Sequence, residues 1–271
     1  MKRMSEFRSR MLALRKDGKA GLLPFVTAGD PSLAFTEKAM RAIDRPEVVG
    51  LEIGVPFSDP LADGPVIQRS SERALARGTT LRDTLDLIEK MRPKVSYPVL
   101  VMSYFNPMHV YGLERFVKRC ASAGVDAVLP TDLPVEESAA FRKALGAGGI
   151  GSVFLAAPTS ENDRIERIAR ASSAFLYYVS LTGVTGARTE LPPGLLARLK
   201  EVRRLVSKPL AVGFGVSKGK HVKALAPHCD AVVVGSAIVR AIETGKNDRE
   251  RLGALNALLD DLVRPLRKPV R

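Results

Sequence analysis

The sequence predicts an α/β fold, a single (β/α)8 barrel of the TIM type with an extra helix at its N-terminus. Three observations carry this. Eight short apolar runs alternate with eight longer stretches of helical periodicity. The alternation fills about 250 residues, the usual size of such a barrel, in a chain of 271. No Pro/Gly/Ser-rich linker or low-complexity tract divides it, so residues 1–271 read as one domain. The rival is a doubly wound open sheet, which has about five or six strands and a Gly-rich first turn. Here the first turn is Thr27-Ala28-Gly29-Asp30-Pro31, without the GxGxxG spacing.

The strand-like runs are 22–27, 48–53, 99–104, 127–130, 152–156, 175–180, 209–213 and 231–234. Each is rich in Val, Leu, Ile or Phe, as a strand buried on both faces requires. The helical patterns are 31–43, 81–93, 112–124, 135–147, 160–172, 191–205, 217–227 and 236–262, the last with a break near Gly245. Gly124 and Gly148 or Gly149 fall where helix C-caps are expected. Before the first run, Phe7, Met11 and Leu14 recur at helical spacing among basic residues. A transit peptide is also basic and amphipathic. The acidic Glu6 and the strand that follows without a linker favour a surface helix opening the domain.

Composition narrows the function classes. Hydrophobic residues make up 45%, too many for a disordered chain. No apolar run approaches the ~20 residues that span a bilayer. Two cysteines, Cys120 and Cys229, allow neither a disulfide framework nor a four-cysteine zinc site, which points to a reducing cytoplasm. His109, His221 and His228 share no face or ligand spacing, so no metal site is expected. The net charge of +13 suggests a polyanionic partner. Residues 1–20 carry +5 of it and residues 262–271 carry +4, so the 241 residues between them carry only +4. The excess sits at the ends, and neither a nucleic acid nor a membrane surface is expected as partner.

In a barrel, chemistry sits in the loops that follow the strands. Two of these are long, 54–65 and 181–191. Glu52 lies near the end of the apolar second run, where a carboxylate is costly unless it has donors or a task. Desolvation would raise its pKa towards neutrality, which suits proton transfer. The competing reading is a structural acid bonded to amides of the next loop. Asp59 and Asp63 lie in a loop stiffened by Pro56, Pro60 and Pro65. Either alone reads as a turn residue; a rigid acid-bearing loop beside Glu52 reads as a site. A third cluster suits a phosphate: Gly183-Val184-Thr185-Gly186, Gly213-Phe214-Gly215-Val216-Ser217 and Gly235-Ser236 follow the sixth, seventh and eighth runs. Glycines admit an anion close to backbone amides, and Ser236 opens a helix. A phosphorylated small molecule is the expected ligand. No Ser-His-Asp or Cys-His arrangement and no strand-embedded lysine suggests covalent catalysis.

These motifs resemble those of the tryptophan synthase α subunit. The match runs through Leu23-Pro24-Phe25-Val26-Thr27-Ala28-Gly29-Asp30-Pro31 and then from Leu51-Glu52-Ile53-Gly54-Val55-Pro56 through Phe57-Ser58-Asp59-Pro60-Leu61-Ala62-Asp63-Gly64-Pro65. It continues through Asp132-Leu133-Pro134-Val135-Glu136-Glu137-Ser138 and the glycine motifs above, in order over essentially the whole chain. The resemblance implies a barrel that cleaves indole-3-glycerol phosphate to indole and glyceraldehyde 3-phosphate by a retro-aldol step, with no cofactor of its own. It implies Glu52 as general acid/base and Asp63 as the acid that holds the indole N–H. It implies an apolar wall of Phe25, Met102, Leu129, Leu155, Tyr177 and Phe214, residues that would otherwise read as barrel core. Gly186, Gly215, Gly235 and Ser236 would take the phosphate, and Thr185 would lie on a loop that closes over substrate. The implied partner is a β subunit carrying pyridoxal phosphate in an α2β2 assembly, met by Pro56, Phe57, Ser58, Asp59 and Pro60 with Asn106 and Pro134. Leu181 departs from the pattern, since some members carry a basic residue there. A stand-alone lyase and a non-catalytic basic binding protein are the alternatives.

Overall fold

The computed structural model describes residues 6–179, 191, 193–213 and 215–269. Among these residues nine strands form one sheet, and every pairing is parallel. They are β1 (Gly21–Thr27), β2 (Leu51–Gly54), β3 (Val99–Ser103), β4 (Ala127–Pro130), β5 (Gly151–Ser152), β6 (Leu155–Ala156), β7 (Leu176–Val179), β8 (Leu210–Gly213) and β9 (Ala231–Val234). Their order is β5-β4-β3-β2-β1-β9-β8-β7-β6. The two outermost strands, β5 and β6, are separated by only two residues in sequence, so they are halves of one barrel strand and the sheet closes on itself. The expected fifth run is thus interrupted at Val153–Phe154, where its bonding passes from β4 to β7. Val153 N–H still donates to Val128 at 3.0 Å, while the Phe154 carbonyl accepts from Tyr177.

The continuous apolar runs conceal a period of two. Leu22, Val26, Ile53, Val99, Val101, Val232 and Val234 pack outward under the helices. Their neighbours Leu23, Leu100 and Val233 fill the barrel interior with Ala127, Leu129 and Val153. Both faces of the sheet are therefore covered by apolar packing, as an all-parallel sheet requires.

Twelve α-helices are seen among the described residues. Helix α1 (Glu6–Lys16) opens the domain, as expected, and its apolar face plugs the barrel floor. Phe7 and Met11 are fully buried and belong to the barrel-interior cluster. The Phe7 ring lies 5.4 Å from that of Phe175. A Cβ on Gly50 would sit 2.0 Å from Phe7, so the glycine before β2 makes room for the plug. The basic residues of α1 serve this docking. Arg10 donates to the carbonyls of Val48 at 3.4 Å and Ser96 at 2.6 Å. Arg15 grips the buried Asp230 with two bonds of 2.7 and 2.5 Å. Burial pushes the Asp230 pKa up, but the Arg15 bond and the Arg203 charge outweigh it and hold the carboxyl below its ordinary value.

After β1, Ser32 caps α2 (Leu33–Ile43) through the amide of Phe35. Two helices escape the sequence pattern. Helix α3 (Pro65–Leu75) buries Val66, Ser70, Ser71 and Ala74, a face too polar to register as an apolar stripe. It starts on Pro65 in the first turn, where the missing N–H costs nothing. Helix α5 (Phe105–Tyr111) is only seven residues long and contains Pro107. The remaining helices are α4 (Leu81–Met91), α6 (Leu113–Ala123), α7 (Ala139–Ala147), α8 (Asn162–Ala171), α9 (Leu195–Leu205), α10 (Gly219–Leu225), α11 (Ser236–Thr244) and α12 (Asp248–Val263). The expected helix at 135–147 begins later, at Ala139, because 134–138 forms a turn in which the amides of Glu137 and Ser138 bond to Pro134 and Val135.

Candidate active site

The C-terminal ends of the strands open onto a cavity. Leu51 and Ile53 pack outward, so the alternation of β2 turns Glu52 inward. Its backbone partners are Phe25 on β1 and Leu100 on β3. The next inward position is Gly54, where a Cβ would meet the Phe25 ring at 2.6 Å. The absent side chain lets that ring lie across the strand end. Glu52 is 1% exposed, and its Oε1 has no hydrogen-bond partner among the described residues. Burial, with the charge of Asp63 second, pushes its pKa up to about 8.

Asp63 reaches the same cavity from the loop between β2 and α3. Its amide bonds to Pro60 at 3.0 Å, and Gln68 donates to its carbonyl at 2.9 Å. The Tyr104 hydroxyl donates to its Oδ2 at 3.1 Å. Burial raises the Asp63 pKa and the Tyr104 bond lowers it, leaving it at about 6. Near neutral pH the pair is therefore divided, with Glu52 holding its proton and Asp63 ionised.

The far side of the cavity is lined by glycines and a helix start. Gly215 lines it in a left-handed conformation, φ +77°. Gly235 and Ser236 line it where α11 begins. First-turn amides of a helix lack intrahelical acceptors and face a favourable dipole end.

Eight residues singled out in the sequence thus meet in one cavity: Glu52, Asp63, Phe25, Met102, Tyr177, Gly215, Gly235 and Ser236. Leu129 and Leu155 do not line it. They are the register partners of Met102 and Tyr177 and back the wall from the adjacent strands. Thr185, Gly186 and Phe214 lie outside the described residues, as does Leu181. Tyr177 is not purely apolar wall. It lines the cavity with both acids, and burial, then the charges of Glu52 and Asp63, raise its phenol well above the ordinary value. The sequence reading missed Ile67, Val216 and Val233 as lining residues. It also missed Tyr104, whose signal was a tyrosine closing the third apolar run.

Beside the cavity, Ser58 and Asp59 are exposed, Phe57 and Pro60 are half-buried and Pro56 is buried. Asn106 and Pro134 are exposed in the connections after β3 and β4. Two exposed apolar side chains accompany them, Leu61 at 90% and Val110 at 76%. No group of three or more His, Cys, Asp or Glu able to hold a metal exists among the described residues. No described helix is long and apolar enough to cross a membrane.

Fold and cavity together define a class, the (β/α)8 barrels with a carboxylate-bearing site at the strand C-termini. Comparison with known proteins narrows it. The sequence model of the family described as tryptophan synthase alpha chain matches residues 11–264. The tryptophan synthase alpha chain of Citrifermentans bemidjiense is 48% identical, over 94% of this chain and 97% of that one. That of Geobacter sp. strain M21 is 47% identical over the same shares. Among solved structures, Mycobacterium tuberculosis tryptophan synthase superposes with a TM-score of 0.88 at 33% identity, covering 98% of this chain and 99% of that one. A chain of the α2β2 tryptophan synthase complex of Pyrococcus furiosus gives 0.83 at 37% identity, covering 91% and 98%. The chain belongs to the tryptophan synthase alpha chain family. This is a family of lyases of tryptophan biosynthesis that cleave indole-3-glycerol phosphate.

Proposed function

We propose that Glu52 and Asp63 divide the retro-aldol cleavage of indole-3-glycerol phosphate between them. The observation that carries this is one cavity holding a buried, proton-bearing Glu52 and an ionised Asp63. Glu52 gives its proton to indole C3, producing a cationic indolenine. Asp63 accepts the indole N–H and stabilises that cation. Glu52, now a carboxylate, takes the proton from the glycerol hydroxyl on the carbon attached to C3. The C3–carbon bond breaks, its electrons return to the indole ring, and the carbon becomes the aldehyde of glyceraldehyde 3-phosphate. One proton enters and one leaves through Glu52, so the step balances without a cofactor on this chain.

Phe25, Met102 and Tyr177 clamp the flat ring, backed by Leu129 and Leu155, with Phe214 as a further wall residue. Gly215, Gly235 and Ser236, with Gly186, hold the phosphate, and Thr185 lies on the loop that closes the site. The β subunit, which carries the pyridoxal phosphate, takes the indole. Pro56–Pro60, Asn106 and Pro134 form its docking surface, and the exposed Leu61 and Val110 support an apolar contact there. The assembly is α2β2, as in the Pyrococcus furiosus complex. Residues 1–271 act as one domain, supported by the closed order of the sheet. The cytoplasm suits its two buried cysteines, neither of them in a disulfide. The basic-scaffold and stand-alone readings are not favoured.

Indole release from indole-3-glycerol phosphate, measured with and without a β subunit, tests this reading. Slow release by the chain alone and strong activation by the partner are expected. No release in either arm would overturn it.

A further inference from the structure

We propose that Tyr104 is a positioning residue for the reaction, holding the Asp63 carboxylate in one orientation and in its charged form. The inference rests on the role of Asp63 given above and adds a residue to it. Tyr104 directly follows β3 and is 5% exposed. Its hydroxyl donates to Asp63 Oδ2 at 3.1 Å and accepts from the Ala62 amide at 2.9 Å. One oxygen thus fixes both the carboxylate and the backbone that carries it. The Tyr104 ring stacks on Phe57, with centroids 4.9 Å apart and planes 30° apart. Phe57 stands near the start of the same loop and Asp63 at its end, so the loop folds over a single side chain. Leu61, at the crest between them, projects into solvent.

Other bonds hold the loop but not its acid. The Asp63 amide and carbonyl are tied to Pro60 and Gln68. Among the described residues, Tyr104 is the only partner of the carboxylate oxygens. Among the described residues, the titratable groups that act with Asp63 are Glu52 on β2, Tyr177 on β7 and Tyr104 itself, on which Asp132 after β4 also acts. None of these is a cation. A buried carboxylate that must stay ionised then depends on a hydroxyl donor, which favours the charged form. Without that donor Asp63 moves towards the neutral acid, which cannot stabilise a cationic ring.

The test is the kcat/KM pH profile for indole-3-glycerol phosphate cleavage by the full chain with its β subunit. Tyr104→Phe keeps the ring and its stack on Phe57 and removes only the hydroxyl. The expected result is a loss of roughly tenfold to a hundredfold at pH 7. The acid limb should move up by at least about half a pH unit, so that the loss is larger at pH 6 than at pH 8. A fluorinated tyrosine at position 104 keeps the fold and strengthens the donor, and should move the limb down. In an Asp63→Asn background Tyr104→Phe should cost little more. An acid limb unchanged in both variants, or full additivity with Asp63→Asn, would overturn the inference. If Tyr104→Phe fails to fold, the fluorotyrosine arm decides alone. A harmless Asp63→Asn would instead overturn the role of Asp63.

Discussion

Glu52 and Asp63 carry the same functional group, and only their surroundings separate them. Glu52 stands on a strand inside the barrel, with an oxygen that has no partner among the described residues, while Asp63 stands in a loop with a hydroxyl donor. The proposed division of roles requires Asp63 ionised and Glu52 protonated in the free enzyme. The kcat/KM profile should therefore be bell-shaped, rising through about 6 and falling through about 8. These limbs belong to the pair, since each charge acts on the other. A flat profile between pH 5 and 9 would contradict the division of roles. Stability follows the same shift with a definite sign. The folded-state pKa of Glu52 lies above the unfolded value of 4.5. The unfolded chain gives up this proton first, so the contribution is present in full below 4.5 and is lost as pH rises through about 8. Glu52→Gln keeps the shape without the ionisation. It should melt higher than the wild type at pH 9 and nearly equal to it at pH 4.5, as calorimetry would show. Equal melting at pH 9 would contradict the burial argument.

At the scale of elements, α1 turns a basic, amphipathic N-terminal sequence into the floor of the barrel. Its apolar side chains enter the interior cluster, and its arginines bind carbonyls and a buried aspartate of the barrel. Phe7→Ala should cost about 3–5 kcal/mol, measured by denaturant unfolding, because a fully buried ring leaves a cavity. A cost below about 1 kcal/mol would mean that α1 docks only at the surface. The helical spacing of Phe7 and Met11 was legible in the sequence, but the cavity they fill is made by Gly50 and Phe175, far away in the chain. The strands were legible because both faces are buried and the runs are continuous. Helix α3 was hidden because serines and alanine, not leucines, face the sheet. Glu52 and Asp63 could be chosen from the strand end and the proline-bound loop. Tyr104 could not, because its role depends on a loop 41 residues away folding back over it.

For the whole molecule, the +13 charge is partly structural. Arg10 and Arg15 brace the barrel floor, and Arg267 near the other end pairs with Glu47 at 3.1 Å. Filter binding to DNA should accordingly show only weak association, falling steeply as salt rises to physiological strength. Tight binding at that salt by the core lacking residues 1–5 and 267–271 would contradict this. On the proposed function the anion that matters is one small phosphate, met by backbone at Gly215, Gly235 and Ser236, which line the cavity. In the proposed mechanism Glu52 carries the proton through the reaction. Its most direct test is the rate of indole release by Glu52→Gln in complex with the β subunit, beside the wild type. A loss of at least about a thousandfold is expected, with the fold and partner binding retained. A rate within a few fold of the wild type would contradict it.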